Sequence, residues 1–265
     1  KLLRSVSPAS VLSSIKAPTL LSQGQADSLF PLNESSQTAA ALKKSGVPIS
    51  MIWHAAGHDG GADEKKYLQE QYSRWFDKYL LKQEIDFPLF QFTKTNGSIS
   101  LQDSTAIPKS FTATRLPFEA EMKQLPLLAQ PAAMSYPVGG IPSAISSLPG
   151  IGAAGSLAAT VASSFAGFSP AFVPGQSGFL DSAVLQEPIL VTGSSRIKVR
   201  VTSTTGDATL FFSLVTKSPS GAISQPNGIV APIRLTNIPA EGRDITVTLP
   251  AVILDAAIGD TVAIG

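Results

Sequence analysis

Apolar positions along the chain change rhythm near residue 85. Before that point, short unbroken apolar runs alternate with stretches in which apolar residues recur every three or four positions, the pattern of buried strands covered by helices. Pro18 to Gln23 and Ile49 to Trp53 are the runs, each bounded by turn residues, as strands buried on both faces require. Between them, Asn33 or Ser35 can cap a helix that continues to Lys44, where Gly46 and Pro48 supply the stop. A second helix is expected from about Ala62 to Lys82, because Tyr67, Leu68, Tyr72, Trp75, Phe76, Tyr79 and Leu80 recur at helical spacing. Two strands and two helices do not complete such a sheet, so its remaining strands are expected upstream of Lys1. Both ends are read as cut, since the chain opens on Lys1 and closes on Gly265 within a strand-like run from Asp260.

From about Ile85 the period becomes two and helix signals vanish. Strands are expected at Phe87 to Thr95, Ser98 to Gln102, Phe111 to Leu116, Pro188 to Thr192, Arg196 to Ser203, Ala208 to Thr216 and Ile229 to Leu235. Asp244 to Leu249 alternates cleanly, which sends Ile245, Val247 and Leu249 inward and Asp244, Thr246 and Thr248 outward. Many short strands separated by Gly, Pro and Ser describe a β-sandwich. The division expected is therefore residues 1–84 as part of an α/β domain and 85–265 as the sandwich, with an insertion at about 124–180. That insertion carries no charged residue from Gln124 to Leu180. Its window Ile151 to Phe168 is long enough to span a membrane, but it is poor in Leu, Ile and Val and lacks flanking Lys, Arg or Trp anchors. A long loop, partly helical, is the expected form.

Composition narrows the function. Apolar residues make up 43% of the 265, enough for real cores. Lys and Arg number 20 against 19 acidic residues, and a formal charge of +1 sets up no field for phosphate backbones, so nucleic acid is not an expected partner. The alternation of Arg196, Lys198 and Arg200 with Ile197, Val199 and Val201 reads as the wet face of a half-buried strand. Cysteine is absent and only His54 and His58 occur, which excludes disulfides, thiolate metal sites and multi-histidine zinc sites; no cofactor is expected. The compartment and the oligomeric state stay open.

Two loops can carry chemistry. Gln23-Gly24-Gln25-Ala26-Asp27 leaves a buried strand, and a carboxylate just past a strand's C-terminal end sits where α/β proteins build their sites. A helix cap or plain turn is the alternative role for Asp27. Gly57-His58-Asp59-Gly60-Gly61 follows the second strand, and its three glycines let the backbone turn tightly so that the ring projects into open space. Strand, Asp, helix, strand, His is the order of the last two members of a Ser/Asp/His triad after an upstream serine. In such a site His58 would be the base and Asp27 would fix its tautomer. His54 reads as a strand-end residue, and Asp59 and Asp63 as turn and helix-cap residues. No G-x-S-x-G elbow is present; Gly175-Gln176-Ser177-Gly178 comes nearest, without the final spacing. The nucleophile is therefore expected upstream, and this polypeptide alone is expected to be inert.

The stretch Val191-Thr192-Gly193-Ser194-Ser195-Arg196-Ile197-Lys198-Val199-Arg200-Val201-Thr202-Ser203, then Gly206-Asp207-Ala208-Thr209-Leu210-Phe211 and Ser218-Pro219-Ser220-Gly221, resembles the C-terminal jelly-roll domain of the acyl-esterase and Xaa-Pro dipeptidyl-peptidase family that includes cocaine esterase. Arg74-Trp75-Phe76-Asp77-Lys78-Tyr79-Leu80 is similar to the helix that closes the hydrolase domain of that family. The resemblance implies an α/β-hydrolase fragment followed by a jelly-roll sandwich, and a serine hydrolase acting on an ester or peptide substrate. Motif to motif, Asp27 takes the place of the triad acid and His58 that of the base. Two further readings remain: a non-catalytic β-sandwich binding protein with a degenerate hydrolase half, and a membrane-attached hydrolase using Ile151 to Phe168.

Overall fold

The structure, a computed structural model, describes residues 7–27, 29–58, 61–94, 110–113, 116–119, 122–128, 172 and 176–265. The expected strand at Ser98 to Gln102 and the window Ile151 to Phe168 lie outside the described residues. The chain forms two compact units, residues 1–95 with 100–122, and residues 96–99 with 123–265.

In the first unit, β1 (Thr19–Gly24), β2 (Ile49–His54), β3 (Phe90–Thr93) and β4 (Ser110–Ala113) form one sheet in that order. β1 and β2 are parallel, β2 and β3 are parallel, and β4 closes the edge antiparallel to β3. The sequence reading starts the sandwich at residue 85, whereas the parallel sheet takes in the next two strands. All four residues of β3 are buried, and Phe90 sets its ring edge-on to Trp53 with centroids 5.0 Å apart. Burial on both faces marks an interior strand of a covered sheet, a distinction that a period of two over so short a run does not reveal.

The helices are α1 (Leu32–Lys44) and α2 (Lys65–Tyr79). Neither Asn33 nor Ser35 caps α1, whose N-cap position is Pro31. Ser35 lies inside the first turn, where its hydroxyl donates to Leu32 O and accepts the indole N–H of Trp53 at 3.0 Å. The expected stop is met, with Gly46 at φ 72°. Paired residues of parallel strands face the same side, so Ser22, Ile52 and Gln91 share one face and Gln23, Trp53 and Phe92 the other. Tyr67 and Tyr72 of α2 donate to Gln91 and Ser22, while α1 meets Trp53 through Ser35. The two helices thus cover opposite faces, and β2, buried from Ile49 to Trp53, runs through the core.

The second unit is antiparallel throughout its strand pairs. It contains β5 (Leu180–Asp181), β6 (Ile189–Val201), β7 (Ala208–Phe212), β8 (Leu214–Lys217), β9 (Ile223–Ser224), β10 (Ala231–Leu235), β11 (Arg243–Ala256) and β12 (Thr261–Ile264). β6 pairs with β11, β7 with β10, and β5, β12, β8 and β9 form a four-stranded sheet. Val247, Leu249, Val252, Leu254, Val262 and Ile264 supply much of its core. The two strands expected on either side of Gly193 are one long strand, paired along both halves with β11. The single strand expected over 208–216 is instead two, because the chain changes sheets at Ser213, whose amide and carbonyl pair with Gly265. Thr248 faces Arg196 and Ala251 faces Ser194, so β11 carries one extra residue there, and Pro250, which has no N–H to give, falls within the bulge. Arg196, Lys198 and Arg200 are exposed beside buried Ile197, and Arg200 makes a two-pronged pair with Asp244 across the strands.

Candidate active site

Because β1 and β2 run parallel and in register to their last residues, Gly24 opposite His54, the loops that follow leave the sheet side by side. They are then packed backbone to backbone. Gln25 N donates to His54 O at 2.8 Å and Ala26 N to Ala56 O at 3.2 Å. A Cβ on Gly57 would lie 2.2 Å from Ala26 C and 2.7 Å from Asp27 N, and one on Gly24 would lie 2.3 Å from Ala56 O. No side chain fits at either place. Gly57 is therefore needed for close approach, and Gly61, at φ 92°, for a left-handed backbone.

This contact sets Asp27 and His58 on adjoining loops at the C-terminal edge of the sheet. Asp27 is half-buried and closes its own turn: Oδ1 accepts the amides of Leu29 and Phe30, each at 2.9 Å, and Oδ2 accepts Gln23 Nε2 at 3.3 Å. The turn role weighed from sequence is thus present, and these three bonds engage both carboxylate oxygens. His58 is exposed, as the glycines around it imply. His54 ends β2 as expected; burial holds its imidazole below the ordinary histidine range, with the charge of Asp27 acting in the opposite sense. Its Nδ1 is buried without a hydrogen-bond partner. Asp63 accepts the amide of Lys65 at 3.0 Å, but the N-cap position expected of it belongs to Glu64, and Asp59 lies outside the described residues.

Sequence reasoning missed the polar groups beneath these loops. Gln25, fully buried, donates from Nε2 to Trp53 O at 3.2 Å and to Thr93 O at 2.7 Å. Glu64 is 3% exposed; its Oε2 accepts the Ala55 amide at 2.9 Å and the Thr93 hydroxyl at 3.2 Å. Burial pushes the Glu64 carboxyl up, against the pull of the Ala55 amide and the Thr93 hydroxyl. Gln25 lies in the loop of Asp27 but was not singled out there, Thr93 sits in no motif, and the signal for Glu64 was a second acidic residue beside Asp63 at the mouth of a helix.

A cavity of about 320 Å³ lies at the other end of the sheet, around Val47, Pro48 and Leu116. Strand N-terminal ends are not where open α/β sheets build their sites. Its two lysines are engaged, Lys43 with Glu119 and Lys78 with Ile85 O.

Residues 1–83 match the model of the prolyl oligopeptidase family. No curated protein matches the chain. Among solved structures, an aminopeptidase from a marine sediment archaeon, Thaumarchaeota archaeon, is similar with a TM-score of 0.65 and 14% identity, over 100% of this chain and 50% of that one. An α-amino acid ester hydrolase gives 0.62 and 13%, over 96% and 49%. A CocE/NonD family hydrolase from Staphylococcus aureus gives 0.57 and 12%, over 96% and 47%. The chain spans about half the length of these structures. The resemblance to CocE-type acyl esterases read from the residues is met, and the fold is that of a hydrolase of this kind, a helix-covered parallel sheet and an antiparallel, sheet-rich remainder.

Proposed function

We propose that this chain is the acid-and-base-bearing part of a serine hydrolase of the acyl-esterase or Xaa-Pro dipeptidyl-peptidase type, with Asp27 the triad acid, His58 the base, and the nucleophilic serine in a segment preceding Lys1. The observation that carries this reading is the contact of Gly57 with the Ala26–Asp27 peptide, which puts the two loops at one sheet edge. β1 supports it from the other side: except at Gly24 its residues are only partly buried, as suits a strand with room for a further neighbour. The second unit reads as the jelly-roll sandwich of such enzymes.

In this mechanism neutral His58 takes the proton of the serine hydroxyl as its oxygen attacks the substrate carbonyl, and returns it to the departing alcohol or amine. Water then enters by the same route in reverse to release the acid. Asp27 stabilises the imidazolium formed in both steps, and the amides of Leu29 and Phe30 hold its carboxylate in the turn beside the His58 loop. Esters and peptides share this acyl chemistry, so either is a substrate class for it.

Treatment of the full-length protein with a serine-directed fluorophosphonate tests the reading. One serine upstream of Lys1 is expected to be labelled in the native protein and not in His58→Ala. Failure of the native protein to label would favour a binding protein with a degenerate hydrolase half.

A further inference from the structure

We propose that Glu64 is a positioning residue that holds the His58 loop against the Asp27 turn. The proposal rests on the reading of His58 as the catalytic base. Glu64 stands in the N-cap position of α2, yet no side-chain cap bond comes from it. Its neighbour Asp63, whose carboxylate is 57% exposed, accepts the Lys65 amide. Glu64 turns the other way, into the protein.

A buried carboxyl is expensive unless its oxygens are satisfied, and a helix entrance alone gives no reason to bury one. The contacts of Glu64 supply the reason. Its Oε2 accepts the amide of Ala55, the first residue after β2, while its own carbonyl accepts Leu68 N in the first turn of α2. One residue therefore fastens the loop at its start and at its end. Between those points the loop closes on itself through the bridge of Ala56 with Gly61. The same Oε2 takes the Thr93 hydroxyl, and Thr93 O takes Gln25 Nε2, two residues ahead of Asp27. Glu64, Thr93 and Gln25 thus link the exits of β1, β2 and β3.

The atoms left over point to the state in which Glu64 serves. Glu64 Oε1 and Gln25 Oε1 are both buried without a partner, and both side chains are bonded to Thr93. Each is an acceptor without a donor, and for Glu64 the acid, unlike the carboxylate, carries an O–H to give. A glutamine at position 64 reproduces this donor and keeps an oxygen for Ala55.

In the full-length protein labelled with ¹³C-histidine, the signals lost in His54→Gln and in His58→Gln assign the imidazoles of the two histidines of this chain. Glu64→Gln is expected to leave the His58 signal and its titration midpoint in place. Glu64→Leu, which keeps the volume and removes the acceptor, is expected to displace and broaden it. In the full-length enzyme Glu64→Leu should lower kcat by about 10²-fold at little changed KM, the cost of a misplacement near 1 Å, and Glu64→Gln should restore it. A folded Glu64→Leu whose His58 signal and titration match the native protein overturns the proposal. Should Glu64→Leu not fold, Thr93→Val, which removes one hydroxyl, decides: a displaced His58 signal supports the linkage and an unmoved one refutes it. Loss of fluorophosphonate labelling in the native protein would instead strike at the hydrolase reading, while the imidazole signals still judge the loop.

Discussion

Substituting Gly57 by alanine puts the smallest possible wedge between the two loops. The added carbon would stand 2.2 Å from Ala26 C and 2.3 Å from Ala26 O. Carbon contacts settle at roughly 3.5 Å, so the backbones have to part by about 1 Å. Both obstacles are main chain, and no side chain can swing aside. Overpacking of this kind typically costs about 1–3 kcal/mol, which for a chain of this size lowers Tm by roughly 2–4 °C per kcal/mol. Its effect on activity should be larger, about 10²-fold in kcat/KM, because the displacement falls on the relation of Asp27 to His58. Gly46→Ala is the control: its Cβ meets nothing within 4 Å, but φ is 72°, so it loses about 1 kcal/mol to backbone strain at the far end of the sheet. Calorimetry and ester turnover of the two variants in the full-length protein separate lost stability from lost geometry. Gly57→Ala with native Tm and native kcat/KM would refute the close packing of the loops.

Other consequences follow from the same contacts. The Glu64 carboxyl is raised in the folded protein, so the stability of its neutral form is present in full at acid pH and is lost as pH climbs through the folded value. Glu64→Gln should therefore gain on the native protein between acid and neutral pH in denaturant titrations; parallel stability curves would contradict this. His54 is lowered, so its contribution is present above the ordinary histidine value and lost as pH falls towards the folded one, and His54→Gln should flatten that acid-side decline. In the second unit, Leu249→Ala, at a site 1% exposed beside the bulge, should cost about 2–5 kcal/mol by urea unfolding, and a loss under about 1 kcal/mol would place Leu249 outside the core.

Much of this was legible because local pattern and burial agree. The runs at 18–23 and 49–53 became β1 and β2 almost residue for residue, and the alternation from Asp244 to Leu249 has the faces expected of it. The loops of Asp27 and His58 were found because strand exits and glycines are visible in one dimension. Pairing partners are not. β3 and β4 joined the parallel sheet because β2 offered a second edge and Trp53 a surface for Phe90, a choice made by tertiary contact. The turn at Ser213 was hidden for the same reason, since the apolar run continues across it while the chain changes sheets. Glu64, Thr93 and Gln25 come from three separate stretches of sequence and acquire meaning only when three strand ends meet.

The two histidines offer the most direct test of the central claim, that the imidazole of residue 58 works with the carboxylate of residue 27. Turnover of an activated ester by full-length His58→Ala and His54→Ala should be compared under one set of conditions. The account predicts a fall of about 10⁴-fold or more for His58→Ala and a far smaller one for His54→Ala. Equal losses, or the larger loss at His54, would contradict it.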